Sequence, residues 1–180
     1  MKLRVGLVGL GNVWETRHRP ALRALGDRIE VRAVCDPVAH RAEQAAAEFR
    51  ASAVDGFRAM AARDDVDAIL LLSSKWYGSL PILAACESGK AVYCAANLDL
   101  DPVRAREIKD RVDSSGIAFM AEFPYRHAPA TLRLKELIAT PLGRPRLLFC
   151  HRRMSGAIDV DDEPLPGQAM RHLMEEVDWC

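Results

Sequence analysis

The apolar positions fall in short blocks separated by longer mixed stretches. Leu3, Val5, Leu7 and Val8 form the first block without strict alternation, the pattern of a strand covered on both faces in a parallel sheet. Residues 29–35, 68–72, 91–94 and 117–121 repeat the pattern, and a shorter strand is expected at 52–54. Between them lie segments of helical composition at 14–25, 38–49, 57–62, 77–88 and 101–115. Strands alternating with helices through residue 121 predict an α/β fold, a Rossmann-type doubly wound parallel sheet. Such sheets bind ligands at the carboxyl ends of their strands.

Punctuation sharpens these boundaries. Pro20 inside the first helical segment predicts a kink or restart near Arg19, because proline removes one helical hydrogen bond. Asp101-Pro102 reads as a cap and first residue. The turn Gly9-Leu10-Gly11-Asn12-Val13, between the first strand and first helix, carries the first candidate chemistry. Gly9 permits the tight turn, and Gly11 admits a phosphate with no Cβ in its way. The helix beyond would aim free N–H groups at that phosphate.

Asp36 ends the second strand about 20 residues further on, where a dinucleotide fold places the acid that holds the ribose hydroxyls. Asp36 also suits a helix cap with Pro37 at the first helical position. Both assignments stand at this stage. Gly9, Gly11, Asn12, Val13, Asp36, Ser73 and Ser74 are the candidate cofactor-binding residues. An acid at position 36 repels a 2′-phosphate and favours NAD over NADP, with Arg41 pulling the other way. Trp14 stands at the third glycine position, where helix and strand usually approach closely. If it fills the phosphate approach, the scaffold binds no dinucleotide.

Bulk composition narrows the partners. In 180 residues, 25 Lys and Arg balance 25 Asp and Glu, so charge gives no case for nucleic acid or an anionic membrane. The apolar run 68–72 is far too short to cross a bilayer. The start of the chain enters a strand directly, with no secretory signal expected. Cys35, Cys86, Cys94, Cys150 and Cys180 show no C-x-x-C spacing, which points to reduced thiols, a cytoplasmic setting and no metal.

Several stretches together resemble one family. They are Val8 to Val13 with His18 and Pro20-Ala21-Leu22; Val34-Cys35-Asp36-Pro37; Asp65-Val66-Asp67-Ala68-Ile69; and Ala84 to Cys94. Tyr125-Arg126-His127-Ala128-Pro129, residues 132–138 and residues 143–149 continue the likeness. The chain resembles the glucose–fructose oxidoreductase/inositol dehydrogenase (Gfo/Idh/MocA) family of NAD(P)-dependent sugar and polyol dehydrogenases. The resemblance implies hydride transfer between a hydroxyl-bearing carbon and the nicotinamide, which requires a proton acceptor.

The residues that this resemblance would make catalytic are replaced. The lysine of the family's Glu-Lys-Pro motif falls on Ala96, and a methyl group accepts no proton. Setting Val177-Asp178 on the end of the Asp-x-Gly-x-His-x-x-Asp pattern puts Glu175 at the histidine and Arg171 at the first aspartate. The Thr-Pro-Asn-x-x-His stretch becomes Ser73-Ser74-Lys75-Trp76-Tyr77-Gly78. Lys75 and Glu175 are the candidate catalytic substitutes. Three replacements together imply altered or lost catalysis, and a non-catalytic nucleotide-binding or assembly module is the alternative.

The expected domains are a dinucleotide-binding domain at 1–121 and a short, incomplete α+β extension at 122–180. The extension should hold a helix at 127–140, a strand at 146–152, an acidic proline-rich loop at 159–167 and a helix at 168–179. A lone apolar strand invites pairing, so 146–152 is expected to join a second copy or a partner subunit.

Overall fold

The structure, a computed structural model, describes residues 1–12, 14–95, 101–147, 149, 173–174 and 177–178. The chain divides into two compact units, Met1–Glu122 and Phe123–Cys180.

The first unit is one six-stranded parallel sheet in the order β3-β2-β1-β4-β5-β6. Its strands are β1 (Leu3–Val8), β2 (Ile29–Cys35), β3 (Ser52–Ala53), β4 (Ala68–Leu71), β5 (Ala91–Cys94) and β6 (Phe119–Ala121). Its helices are α1 (Arg19–Ala24), α2 (Ala39–Phe49), α3 (Phe57–Ala61), α4 (Leu80–Glu87) and α5 (Pro102–Ser115). The strand order reverses at β1, between β2 and β4. That reversal is the crevice where doubly wound sheets bind ligands.

The two faces of the sheet pack separate cores. Val5, Leu7, Val31 and Val34 meet Leu22 of α1 and Ala42, Ala45 and Ala46 of α2, where small side chains let the helix lie close. On the other face Ile69, Leu71, Val92 and Cys94 meet Met60 and Ala61 of α3, Ile82 and Ala85 of α4, and Ile108 of α5. Burial on both sides explains the apolar run of β4 and the apolar carboxyl halves of β1 and β2.

Local signals hold at most boundaries. The first helical segment breaks where Pro20 predicts: a π-helical turn, Trp14–His18, gives way to α1 at Arg19. Asp101 caps α5 by accepting from the Val103 N–H at 2.9 Å. At the amino edge of the sheet, Arg4 joins β1 to the approach of β4. Its N–H and Nε donate to Asp67 Oδ2 at 3.0 and 2.9 Å, and the Asp67 N–H donates back to the Arg4 carbonyl at 2.8 Å.

Three expectations need correction. Asp36 does not cap α2: the helix starts at Ala39 with Val38 as its capping residue, so Pro37 lies outside it. The helix expected from residue 77 starts at Leu80, after a turn that carries Lys75 to Tyr77. In the second unit, the described residues Arg146, Leu147 and Phe149 form no strand, and no described neighbour offers them a ladder. The loop at 159–167 lies outside the described residues.

That second unit holds a short 3₁₀ turn, Pro124–His127, and then α6 (Pro129–Ala139). Arg126 lies over the Phe123 ring, 5.1 Å from its centroid, and its Nε donates to both Asp178 oxygens at 2.8 and 2.7 Å. Residues 173–174 and 177–178 are helical, as expected of the last segment. No helix among the described residues is long and apolar enough to cross a membrane.

Candidate functional site

The carboxyl edge of the sheet is organised around the glycine turn. Gly9 and Gly11 both take positive φ, +68° and +58°, a backbone region that L side chains rarely adopt. Close packing adds a second constraint. A Cβ on Gly9 would stand 2.6 Å from the Ser73 carbonyl oxygen, and one on Gly11 would stand 3.1 Å from Ser73 Cβ. The absent Cβ of Gly11 thus makes room for Leu72 and Ser73, just after β4. The glycines seat Ser73 beside the turn, which brings three of the predicted site positions together.

Asp36 is the fourth. Its Oδ2 accepts from the Leu10 N–H at 2.9 Å and its Oδ1 from the Val38 N–H at 2.9 Å. The Gly9 N–H donates to the Cys35 carbonyl at 2.8 Å. The glycine turn is therefore fastened to the end of β2 by the N–H groups of Gly9 and Leu10. An ionised carboxylate has about four acceptor positions, and these bonds use two. The rest suit ribose hydroxyls, so the donor and acceptor set fits a dinucleotide.

Trp14 does not behave as the sequence feared. Its side chain is only 4% exposed and packs among Val5, Leu7 and Leu22, with its ring tilted against Phe49 at 6.0 Å. It fills core space under the π-helical turn. The scaffold reading that rested on Trp14 loses its physical basis.

Beyond Asp36 lies an open groove of about 230 Å³ lined by Asp36, Pro37, Ala42, Glu43, Asp55 and Tyr77, among others. Tyr77 is fixed there: its hydroxyl meets Cys35 Sγ at 3.6 Å and its ring stands edge-on to Phe57 at 5.2 Å. Burial and the Cys35 contact push the Tyr77 hydroxyl up to about 12. Burial likewise raises the Cys35 thiol, against the Tyr77 hydrogen bond, so this thiol is no nucleophile. Arg41 reaches back to the turn, with Nη2 donating to the Gly11 carbonyl at 3.3 Å.

The opposite side of the edge is closed by its own charges. Arg17, in the π-helical turn, pairs with Glu122 just after β6. Tyr93 of β5 is held protonated to high pH by burial and the neighbouring Glu122 carboxylate. His18 is 7% exposed, and its Nε2 has no hydrogen-bond partner among the described residues. Burial first, and Arg17 next, hold its pKa below the ordinary value, with Glu122 opposing.

The remaining predicted residues are dispersed. Ser74 is half-buried beside Ser73, Asn12 is exposed in the glycine turn, and Lys75 is exposed with its N–H donating to Ser73 Oγ at 3.4 Å. Val13, Ala96, Arg171 and Glu175 lie outside the described residues. Sequence reasoning missed Glu43 and Asp55 in the groove, and Tyr93 and Glu122 opposite. Asp55 had a usable signal, since it follows the β3 strand as Asp36 follows β2. Among the described residues no group of His, Cys, Asp and Glu could hold a metal ion.

Comparison with known proteins agrees with this architecture. The chain is 25% identical over 182 aligned residues to inositol 2-dehydrogenase from Salmonella typhimurium, covering 99% of this chain and 53% of that protein. It thus spans about half the length of that relative. An oxidoreductase from Thermotoga maritima superposes with a TM-score of 0.71 at 26% identity, over 77% of this chain and 43% of the other. A 3-ketoreductase from Actinomadura kijaniata, solved with NADP and TDP-benzene, gives 0.64 at 27% identity, over 77% of this chain and 42% of the other. The profile of an oxidoreductase family, described by its NAD-binding Rossmann fold, matches residues 3–123. With its six-stranded sheet and its glycine turn tied to Asp36, the chain belongs to the Gfo/Idh/MocA oxidoreductase family and carries that family's NAD(P)-binding domain.

Proposed function

We propose that this chain binds NAD in preference to NADP at the edge formed by Gly9, Gly11, Asn12, Val13, Asp36, Ser73 and Ser74. We further infer that the hydride-transfer chemistry of sugar and polyol dehydrogenases is altered or lost in it. The observation that carries the reading is Asp36: a carboxylate fastened to the glycine turn, with acceptor positions left over, beside a groove rimmed by further carboxylates. A 2′-phosphate there would face like charge, whereas ribose hydroxyls would find acceptors. Bound NAD would supply the hydride acceptor, and the chain's own residues would orient its ribose.

The second half of the proposal rests on Ala96 at the position of the family's lysine and Glu175 at that of its histidine. Lys75, exposed in the turn after β4, is the candidate substitute that the test below addresses. Buried Cys35 and Cys86, neither of them in a disulfide, support a cytoplasmic setting. Leu147 and Phe149, 89% and 86% exposed, support association through 146–152. Light scattering showing a monomer at high concentration would count against that association.

The test has two stages. Calorimetric titration with NAD and NADP should show binding of NAD. NADH formation is then followed across a panel of polyols and sugars. Binding without turnover is the expected result, and turnover abolished by Lys75→Ala would instead restore an enzyme built on Lys75.

A further inference from the structure

We propose that Asp55 determines specificity for the base of the bound nucleotide, by accepting a hydrogen bond from the exocyclic amino group of an adenine-type ring. This rests on the dinucleotide reading above and assigns the outer end of the same site.

The placement follows from strand register. β2 and β3 run parallel with Val34 opposite Ala53, and the Val54 N–H donates to the Val34 carbonyl at 2.9 Å. Two residues beyond that pair come Asp36 after β2 and Asp55 after β3. The two carboxylates therefore leave the same edge of the sheet, separated by roughly one strand spacing of about 5 Å. Asp36 is the inner member, tied to the glycine turn, and Asp55 lies one strand outward. With a ribose held at Asp36, the base extends toward Asp55 and away from the phosphates.

The lining of the groove suits a ring. Pro37, Ala39, Ala42, Ala53 and Val54 give it small apolar walls. Tyr77 adds an aromatic wall whose position is set by Phe57 and Cys35. Such surfaces suit a flat ring. The charged residues lining it, Asp36, Glu43 and Asp55, can only accept hydrogen bonds in their ionised form, and neither lysine nor arginine lines the groove. A ring seated there must offer an N–H where it meets Asp55. Adenine offers its amino group, whereas hypoxanthine puts a carbonyl oxygen in that place, acceptor against acceptor. Glu43 is the less suitable partner, because it lies a full turn along α2 from the strand edge.

Nicotinamide hypoxanthine dinucleotide differs from NAD in this ring, which makes it the probe. Calorimetric titration of the full chain should show NAD binding tighter than the hypoxanthine analogue by about tenfold or more, the range for a hydrogen bond to a charged group. In Asp55→Asn the side-chain amide can turn its NH₂ toward the carbonyl, so the two affinities should approach within about threefold. Asp55→Ala should also narrow the gap, by weakening NAD alone. Asp55 is exposed, so neither variant disturbs the core, and unchanged thermal melting checks this. Equal binding of the two dinucleotides to the unaltered chain would overturn the assignment while leaving the dinucleotide reading intact. Retention of the full preference in both variants would do the same. If neither dinucleotide binds the unaltered chain, the reading and the assignment fall together.

Discussion

The two ends of the carboxyl edge handle charge in opposite ways. Beside β2 and β3, Asp36, Glu43 and Asp55 line an open groove, and Asp36 is tied to backbone N–H groups instead of a cation. Beside β5 and β6, Glu122 is paired with Arg17, next to Tyr93 and His18, in a closed cluster. One end keeps acceptors available for a ligand; the other has its polar groups turned on one another. The comparison teaches how the proposed function separates binding from chemistry in this scaffold. In that proposal the groove serves a ribose and a base, while the sequence beyond β5 carries Ala96 at the position that the resemblance gives to the family's lysine.

The largest expected effect comes from the turn on which both ends depend. Gly9→Ala would set a Cβ 2.6 Å from the Ser73 carbonyl oxygen and strain a backbone at φ +68°. Chemical denaturation should show a loss of roughly 3 kcal/mol, combining positive-φ strain with overpacking. A loss below about 1 kcal/mol would mean that the β4 end yields easily.

Asp36→Ala comes next and probes the open end alone. It removes the proposed ribose acceptor and leaves the Leu10 and Val38 N–H groups without their partner. The NAD dissociation constant should rise about tenfold to a hundredfold by calorimetry, with NADP changing much less. Equal losses for both cofactors would show that Asp36 supports the turn without choosing between them.

The closed end is probed by acid. His18 has its folded-state pKa held below the ordinary 6.5, so the folded state favours the neutral ring. Its contribution is present above the ordinary value and is lost as pH falls below it, where the unfolded chain takes up the proton first. Arg17 and Glu122 are the charged groups that act on it, with opposite signs. Thermal midpoints should drop between about pH 7 and pH 5, and His18→Gln should flatten that limb. An unchanged limb in the variant would place the titration elsewhere.

The smallest effect lies at the amino edge, away from both ends. Asp67 is held at about 2 by the Arg4 hydrogen bonds, below its ordinary 3.8. A depressed carboxylate stabilises the fold above the unfolded value and loses that contribution as pH falls from about 4 toward 2. Asp67→Asn should remove this part of the acid limb, read by fluorescence during acid titration, and leave NAD affinity unchanged.

What the sequence disclosed follows the same division. Strand positions were legible because burial concentrates apolar residues in short blocks, and β2 and β5 fall on the expected residues. The helix restart at Arg19 was legible because Pro20 forces it by covalent geometry. Asp36 could be singled out by its spacing, but not its bonds to Leu10 and Val38, which depend on how the glycine turn folds back. Trp14 was misjudged because a one-dimensional reading places a side chain in the motif without showing which way it points. Tyr93 lies on β5 and Glu122 just after β6, strands that pair only in the fold, so no spacing rule could join them to Arg17.

The central claim is that the acidic end of the carboxyl edge selects NAD. Side-by-side calorimetric titration of NAD and NADP into the unaltered chain tests it most directly. The account predicts NAD binding at least about tenfold tighter than NADP, since a 2′-phosphate would enter beside Asp36. NADP binding as tightly as NAD, or more tightly, would contradict it.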